Sequence, residues 1–388
     1  MHGLLILLCL FSESFAAILS YATGFDHSLL LRICCAFTFF YSVFVFLMVR
    51  NNPASPKTIH VFFVSFFIVC MVLLSMFVTE LKYGYTQRFF DGMVLSFGSK
   101  VLVAPFFAMA WNKHNFYNSV VRWILPFTAF FTFFMLVAVF RLGNQAYMNL
   151  EIGYQILSYA ASFSIGLLFI YMKSNVQGGL FCYTSKGLSI VLIILNIYIL
   201  LSGGGKGAFV MVIALFFLNF YKQIKIRNLL ILFVLFFIGL INSSYISNLL
   251  AKNSGSGRIL VLFSSSDISE ISSGRNNIYN EALELIIDRC FLGNGTGSVL
   301  YDIGYYAHNM FLDILLDWGF IGLILCVLVL FQVCRKYFIM KNDEKVFFLF
   351  SIFLMSFIHL MFSGSFYTNL GIWFSVIAIL CTADYKVS

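Results

Sequence analysis

The segment AHNMFLDILLDWGFIG, residues 307–322, places His308 where a polar stretch gives way to a long apolar one. On a helix beginning at Asn309, the side chains of Asn309, Asp313 and Asp317 fall on one narrow stripe. Histidine has an ordinary pKa suited to proton transfer near neutrality, so His308 can serve as a general base at the mouth of that stripe. Two carboxylates within an apolar helix are expensive, and the stripe is expected to face a polar cavity inside a helix bundle. Gly319 and Gly322, deeper in the same helix, open a patch for close packing. The plainer alternative is an interfacial histidine hydrogen-bonded to water or lipid.

Three cations near glycines or helix ends could meet an anion. The spacing of Ile278, Ala282, Leu285, Ile286 and Arg289 predicts an amphipathic helix over 275–289, capped by Ser273, that lies along a membrane surface or packs on the spans. Arg275 stands at its start, where the helix dipole disfavours a cation unless an anion is also present. A phosphate would engage the free N–H groups and the guanidinium together. Arg289 stands at the other end, where the dipole itself accommodates a cation, so a structural role competes with a ligand role. The following LGNGTGS, residues 292–298, reads as a turn that lets backbones approach closely, and no βαβ unit surrounds it to make a dinucleotide site. In SGGGKGA, residues 202–208, Lys206 repeats the arrangement of a cation beside a helix start. A P-loop is excluded, because Gly207 stands where Ser or Thr is required. Two accounts stay open for this turn: recognition of a lipid-borne pyrophosphate, or a tight helical hairpin with a snorkelling lysine.

The elements that must position these residues follow from composition. The chain is 61% hydrophobic and 10% charged, with apolar runs near 20 residues along its whole length, which excludes a soluble fold and predicts an all-α polytopic membrane protein. Spans are expected near 3–21, 29–49, 59–79, 92–111, 123–140, 153–172, 187–201, 208–221, 228–243, 311–333, 346–363 and 370–383. The first is read as an uncleaved span rather than a signal peptide, since it lacks a basic leader. Basic residues concentrate in alternate connections, among them Arg50 with Lys57, Lys173 with Lys186, and Arg335 with Lys345; this predicts both termini in the cytoplasm. The organisation expected is therefore helices 1–9 over residues 1–243, a large external loop over 244–310, and helices 10–12 with a cytoplasmic tail over 311–388. The nine cysteines lie in apolar runs except Cys290, which argues against a disulfide framework or a zinc site. The formal net charge of +8 is explained by cytoplasmic loops, so no nucleic-acid partner is expected. Glu13 and Lys100 fall inside spans, where ionisable groups suggest function and could pair with each other.

The order of SGGGKGA, a long external loop with SGRNNIYNEALELIIDRCFLGNGTG, and AHNMFLDILLDWGFIG resembles the bacterial O-antigen polymerase and O-antigen ligase superfamily. His308, Asn309, Gly319 and Gly322 fit that group's pattern of His-Asn, nine residues, Gly, two residues, Gly. The resemblance implies glycosyl transfer at the periplasmic side of the bacterial inner membrane, from glycans linked to undecaprenyl pyrophosphate. It makes His308 the base for the acceptor hydroxyl and gives Arg275 and Lys206, with Arg258 or Arg289, the task of neutralising the leaving pyrophosphate. Asn309 and Asp313 would add substrate contacts. Membrane lipid and a chain-length regulator protein are the further partners it implies. Relatives commonly carry arginine where Lys206 stands, and lysine cannot grip phosphate bidentately. Of the two activities, the polymerase reading is favoured over the ligase. A flippase for lipid-linked sugars is the reading from another class, but it would call for internal repeats and charges spread through the spans.

Overall fold

The computed structural model describes residues 2–49, 56–84, 97–113, 116–149, 153–174, 181–220, 275–304 and 306–382. Among these residues there are helices and no strand. The first helices are α1 (His2–Leu10), α2 (Ser12–Thr23), α3 (His27–Val49) and α4 (Pro56–Tyr83), followed by a π-helical turn Phe97–Val101. Next come α5 (Ala104–Lys113), α6 (Phe116–Asn149), α7 (Gly153–Lys173), α8 (Phe181–Gly203) and α9 (Lys206–Phe220). The last group comprises α10 (Asn276–Asp288), the single turn α11 (Val299–Asp302), α12 (Met310–Ile339), α13 (Glu344–Phe362) and α14 (Leu370–Cys381).

Seven of these helices are long and apolar enough to cross a membrane, or eight if the bent pair α1–α2 is one span. The protein is an all-α, multi-pass membrane protein. Several expected spans take a different form. The span placed at 3–21 is bent by 83° between α1 and α2, and the one at 92–111 divides into the π turn and the short α5. Helices α9 and α14 are apolar but shorter than a bilayer requires, and the span at 228–243 lies outside the described residues. Twelve spans are thus not reached among the described residues. The breaks fall beside short polar groups, Ser12–Glu13–Ser14 and Gly98–Ser99–Lys100, which an apolar window of span length averages away.

Helix ends follow local chemistry. Gly24 closes α2 in the left-handed conformation, at φ 83°, and donates its N–H to the Ser20 carbonyl at 2.7 Å. Asp343 caps α13 by accepting from the backbone N–H of Lys345 at 2.8 Å, and Asn369 caps α14 by accepting from Ile372 at 3.0 Å.

The chain forms two compact units. The first comprises Met1–Leu31 and Asn118–Gly274. Within it α7 is mostly buried and packs against α8, α9 and α2. Asn196 on α8 donates to the Thr132 hydroxyl of α6 at 2.8 Å, a polar tie between helices where lipid offers no partner. The second comprises Arg32–Tyr117 and Arg275–Ser388, with α14 at its centre against α5, α13, α4 and α12. Trp111 stacks on Phe348 and meets Phe374 edge-on, joining α5, α13 and α14. At the far end of α12, Lys336 caps α14 by donating to the carbonyls of Leu380 and Thr382. Glu13 is exposed in the first turn of α2, and Lys100 is buried in the π turn.

Candidate active site

The site assembles around the start of α12. Asn309 is the N-cap: its side-chain oxygen accepts from the N–H of Phe311 at 3.0 Å and of Leu312 at 3.4 Å. Asp313, one turn on, accepts from the N–H of Ala307 at 2.8 Å. The residues on both sides of His308 are thereby tied to the first turn of one helix. Between them His308 takes φ 54°, making it the one residue other than glycine with positive φ among the described residues. Such a conformation is uncommon for a residue with a Cβ, and it persists because both neighbours are held.

The imidazole is half-buried and lies edge-on to Tyr306, with ring centroids 5.2 Å apart. Its Nδ1 is buried and has no hydrogen-bond partner among the described residues. Burial, and secondarily the charge of Arg275, push the His308 pKa from 6.5 down to about 4, so the ring is neutral at physiological pH. A neutral imidazole can accept a proton, as a general base must. Arg275 is the residue before α10 and half-buried, and among the described residues no side chain caps that helix start. His308 and Arg275, distant in sequence, are therefore within electrostatic reach of each other. Ser273, expected as the cap, lies outside the described residues, as does Arg258. Arg289 is exposed at the other end of α10.

Lys206 belongs to the first unit, where it is the first residue of α9 and half-buried. The glycines before it answer to packing. Gly205 donates its N–H to the Ser158 hydroxyl at 3.0 Å, and a Cβ on Gly205 would stand 2.6 Å from the Ser158 Cβ. The tight-hairpin account of this turn thus has a physical basis in the contact with α7.

The aspartate stripe is corrected by the structure. Instead of facing an open polar cavity, Asp313 and Asp317 are each 1% exposed and hold backbone N–H groups of the segment that precedes α12. Asp317 accepts from the N–H of Gly297 at 3.0 Å, which also donates to the Tyr367 hydroxyl at 3.2 Å; the other Asp317 oxygen is buried and has no hydrogen-bond partner among the described residues. Backbone N–H groups of a loop thus supply what a cavity was expected to supply. The loop docks where α12 breaks. Gly319 has φ 62° and ψ −160°, outside helical values, which frees backbone groups on both sides of it. The carbonyls of Leu316 and Asp317 accept from Asn294 and Gly295 at 2.7 and 3.1 Å. The N–H of Phe320 donates to Cys290 at 2.8 Å and that of Ile321 to Phe291 at 3.4 Å. A Cβ on Gly293 would lie 2.4 Å from the Asp317 backbone, and one on Gly319 would lie 2.3 Å from the Phe291 carbonyl oxygen. The two glycine patterns read separately in the sequence are therefore two halves of one joint. Sequence gave no signal for the other fastenings: Trp318 donates to Thr296 at 2.7 Å, Thr296 to Ser75 on α4 at 2.8 Å, and Tyr367 comes from the α13–α14 turn. Among the described residues no group of His, Cys, Asp and Glu is placed to hold a metal ion.

Residues 188–327, from within α8 to midway along α12, match the family model described as O-antigen ligase. Over that region the chain is similar to the O-antigen ligase family. All the candidate residues, from Lys206 to Asp313, lie inside the matched region. A stretch of 159 residues is 27% identical to the ComP-specific O-oligosaccharyltransferase of Acinetobacter baylyi, covering 37% of this chain and 28% of that protein's length. No solved structure matches the chain at a significant level.

Proposed function

We propose that this protein is an O-antigen polymerase of the bacterial inner membrane, with both termini in the cytoplasm. It transfers a growing glycan from undecaprenyl pyrophosphate to a new lipid-linked repeat unit on the periplasmic side. The observation that carries the reading is His308, held in a left-handed conformation by its neighbours, with a buried Nδ1 that has no partner among the described residues and the charge of Arg275 acting on it. His308 takes the proton of the acceptor hydroxyl as the hydroxyl oxygen attacks the anomeric carbon. The bond from that carbon to the phosphate oxygen breaks, and undecaprenyl pyrophosphate leaves with the electron pair. Arg275 meets the charge that develops on the leaving group. Attack from the face opposite the phosphate inverts the anomeric carbon. Lys206 and Arg289 are assigned to phosphate recognition by the family resemblance.

A second reading is favoured by a specific observation. The matching family model is described as a ligase, and the A. baylyi relative is named for oligosaccharide transfer specific to ComP. In that reading the same chemistry moves a finished chain to a different acceptor. A lipopolysaccharide gel separates the two. Cells deleted for the gene should carry a single repeat unit on the lipid A core if the protein is the polymerase. Absence of any repeat on the core, with lipid-linked polymer accumulating, would assign it as a ligase. Restoration of the full ladder by His308→Ala would remove the base from the scheme.

A further inference from the structure

Helix α12 changes character at one residue. From Met310 to Gly319 no side chain is exposed. From Phe320 onward exposed side chains predominate and are mainly apolar, beginning with Phe320 at 46% and Ile321 at 50%. An apolar surface of that extent on a span is a lipid-facing surface. The segment from Phe320 to Ile339 has about 20 residues and is about 30 Å long, the thickness of the bilayer hydrocarbon. The ten residues before it are covered by protein instead, through α10, the glycine loop and the residues around Ala307.

Helix α10 shows the same boundary from the side, since its surface divides into three sectors. Ala282 and Ile286 are buried in a cluster with Val299, Ala307 and Leu316. Glu281, Glu284 and Asp288 are exposed on the opposite side. Between them, Leu283 and Ile287 form an exposed apolar stripe that runs on into Phe291 and Leu292, which are 71% and 76% exposed. The stripe is continuous with the lipid-facing surface of α12, because the Cys290 and Phe291 carbonyls accept from the Phe320 and Ile321 N–H groups where that surface begins.

We propose that Gly319 marks the outer edge of the bilayer hydrocarbon and that Leu283, Ile287, Phe291 and Leu292 dock into the acyl chains of the outer leaflet. Part of the external loop is then a membrane-embedded wedge, with one helix facing protein, lipid and water at once. The upper part of α12, about 10 residues at 1.5 Å each, lifts His308 up to about 15 Å above the hydrocarbon. The headgroup layer of one leaflet is about 6 Å thick. Taken with the proposed function, this sets the imidazole at the height of the first sugars of a lipid-linked donor, beyond its phosphates. The docking face itself does not depend on that reading.

The test introduces the photocrosslinker p-benzoylphenylalanine at position 287, 291, 284 or 324 of the full-length protein in phospholipid bilayers. After irradiation, peptides are examined by mass spectrometry. Positions 287 and 291 should form phospholipid adducts as efficiently as 324 on the span, while 284 should form few. Adducts to a second copy of the chain, or yields at 287 and 291 matching 284, would overturn the proposal. Hydroxyl-radical footprinting of the unsubstituted protein in nanodiscs gives an independent reading. Ile287, Phe291 and Leu292 should be protected at least tenfold relative to the detergent-unfolded chain, and labelling of Phe291 at the unfolded rate would also overturn it.

Discussion

Replacing Gly319 by alanine tests the joint on which the site rests. At φ 62° and ψ −160° the residue occupies a region essentially reserved for glycine, where a Cβ costs about 1–3 kcal/mol. The added carbon would also stand 2.3 Å from the Phe291 carbonyl oxygen, with the Cys290 carbonyl oxygen 2.7 Å away. These are backbone atoms, so relief requires shifting the loop and losing the bonds from Phe320 and Ile321, each worth about 1 kcal/mol net. Together the penalty is about 3–5 kcal/mol, concentrated on one local joint, which raises the population of undocked loop by about two to four orders of magnitude. Hydrogen exchange in detergent or nanodiscs should show Asn294, Gly295 and Gly297 amides losing protection by about that factor. The complemented strain should lose its glycan ladder while the protein still inserts. Unchanged protection with a full ladder would refute the idea that loop docking at the α12 break shapes the site.

Other predictions follow from the same geometry. Asp313→Ala leaves the Ala307 N–H buried without an acceptor, costing about 1–3 kcal/mol, whereas Asp313→Asn keeps an acceptor oxygen; thermal unfolding and ladder length should separate the two variants. Because His308 is held at about 4, its folded form stays neutral where the unfolded chain already protonates near 6.5. Folding stability should therefore be fullest above pH 6.5 and decline as pH falls towards about 4, and His308→Gln should flatten that limb in a melt series. In transfer assays on purified protein, the acid limb of kcat/KM should lie near pH 4. Arg275→Gln removes the lesser cause of the depression, so the limb should rise to no more than about 5 while the rate falls by about 10²–10³-fold. An unmoved limb would separate Arg275 from the base. Lys206→Arg should retain more ladder than Lys206→Ala if the cation recognises phosphate, and equal ladders would reduce the turn to helix packing.

The polytopic helical class, the extended apolar runs and the helix over 276–288 were legible in the sequence, because burial in lipid demands long apolar segments and an amphipathic helix displays its period in the chain itself. The place of His308 before a helix was legible for a similar reason: Asn309 is a local cap, and caps act over two or three residues. What Asp313 and Asp317 face was not, since a carboxylate in an apolar run is satisfied equally by a water-filled cavity or by loop amides, and only the folded chain brings the amides of Ala307 and Gly297 to them. The left-handed backbone at His308, the electrostatic reach of Arg275 and the insertion of the 290–297 loop into α12 likewise arise from contacts between segments far apart in sequence. Hydropathy measures how each segment partitions into lipid, and so it ran α12 through Gly319 without interruption. The break, and the change from protein-covered to exposed surface that accompanies it, exists because another piece of chain supplies the hydrogen bonds that α12 gives up there.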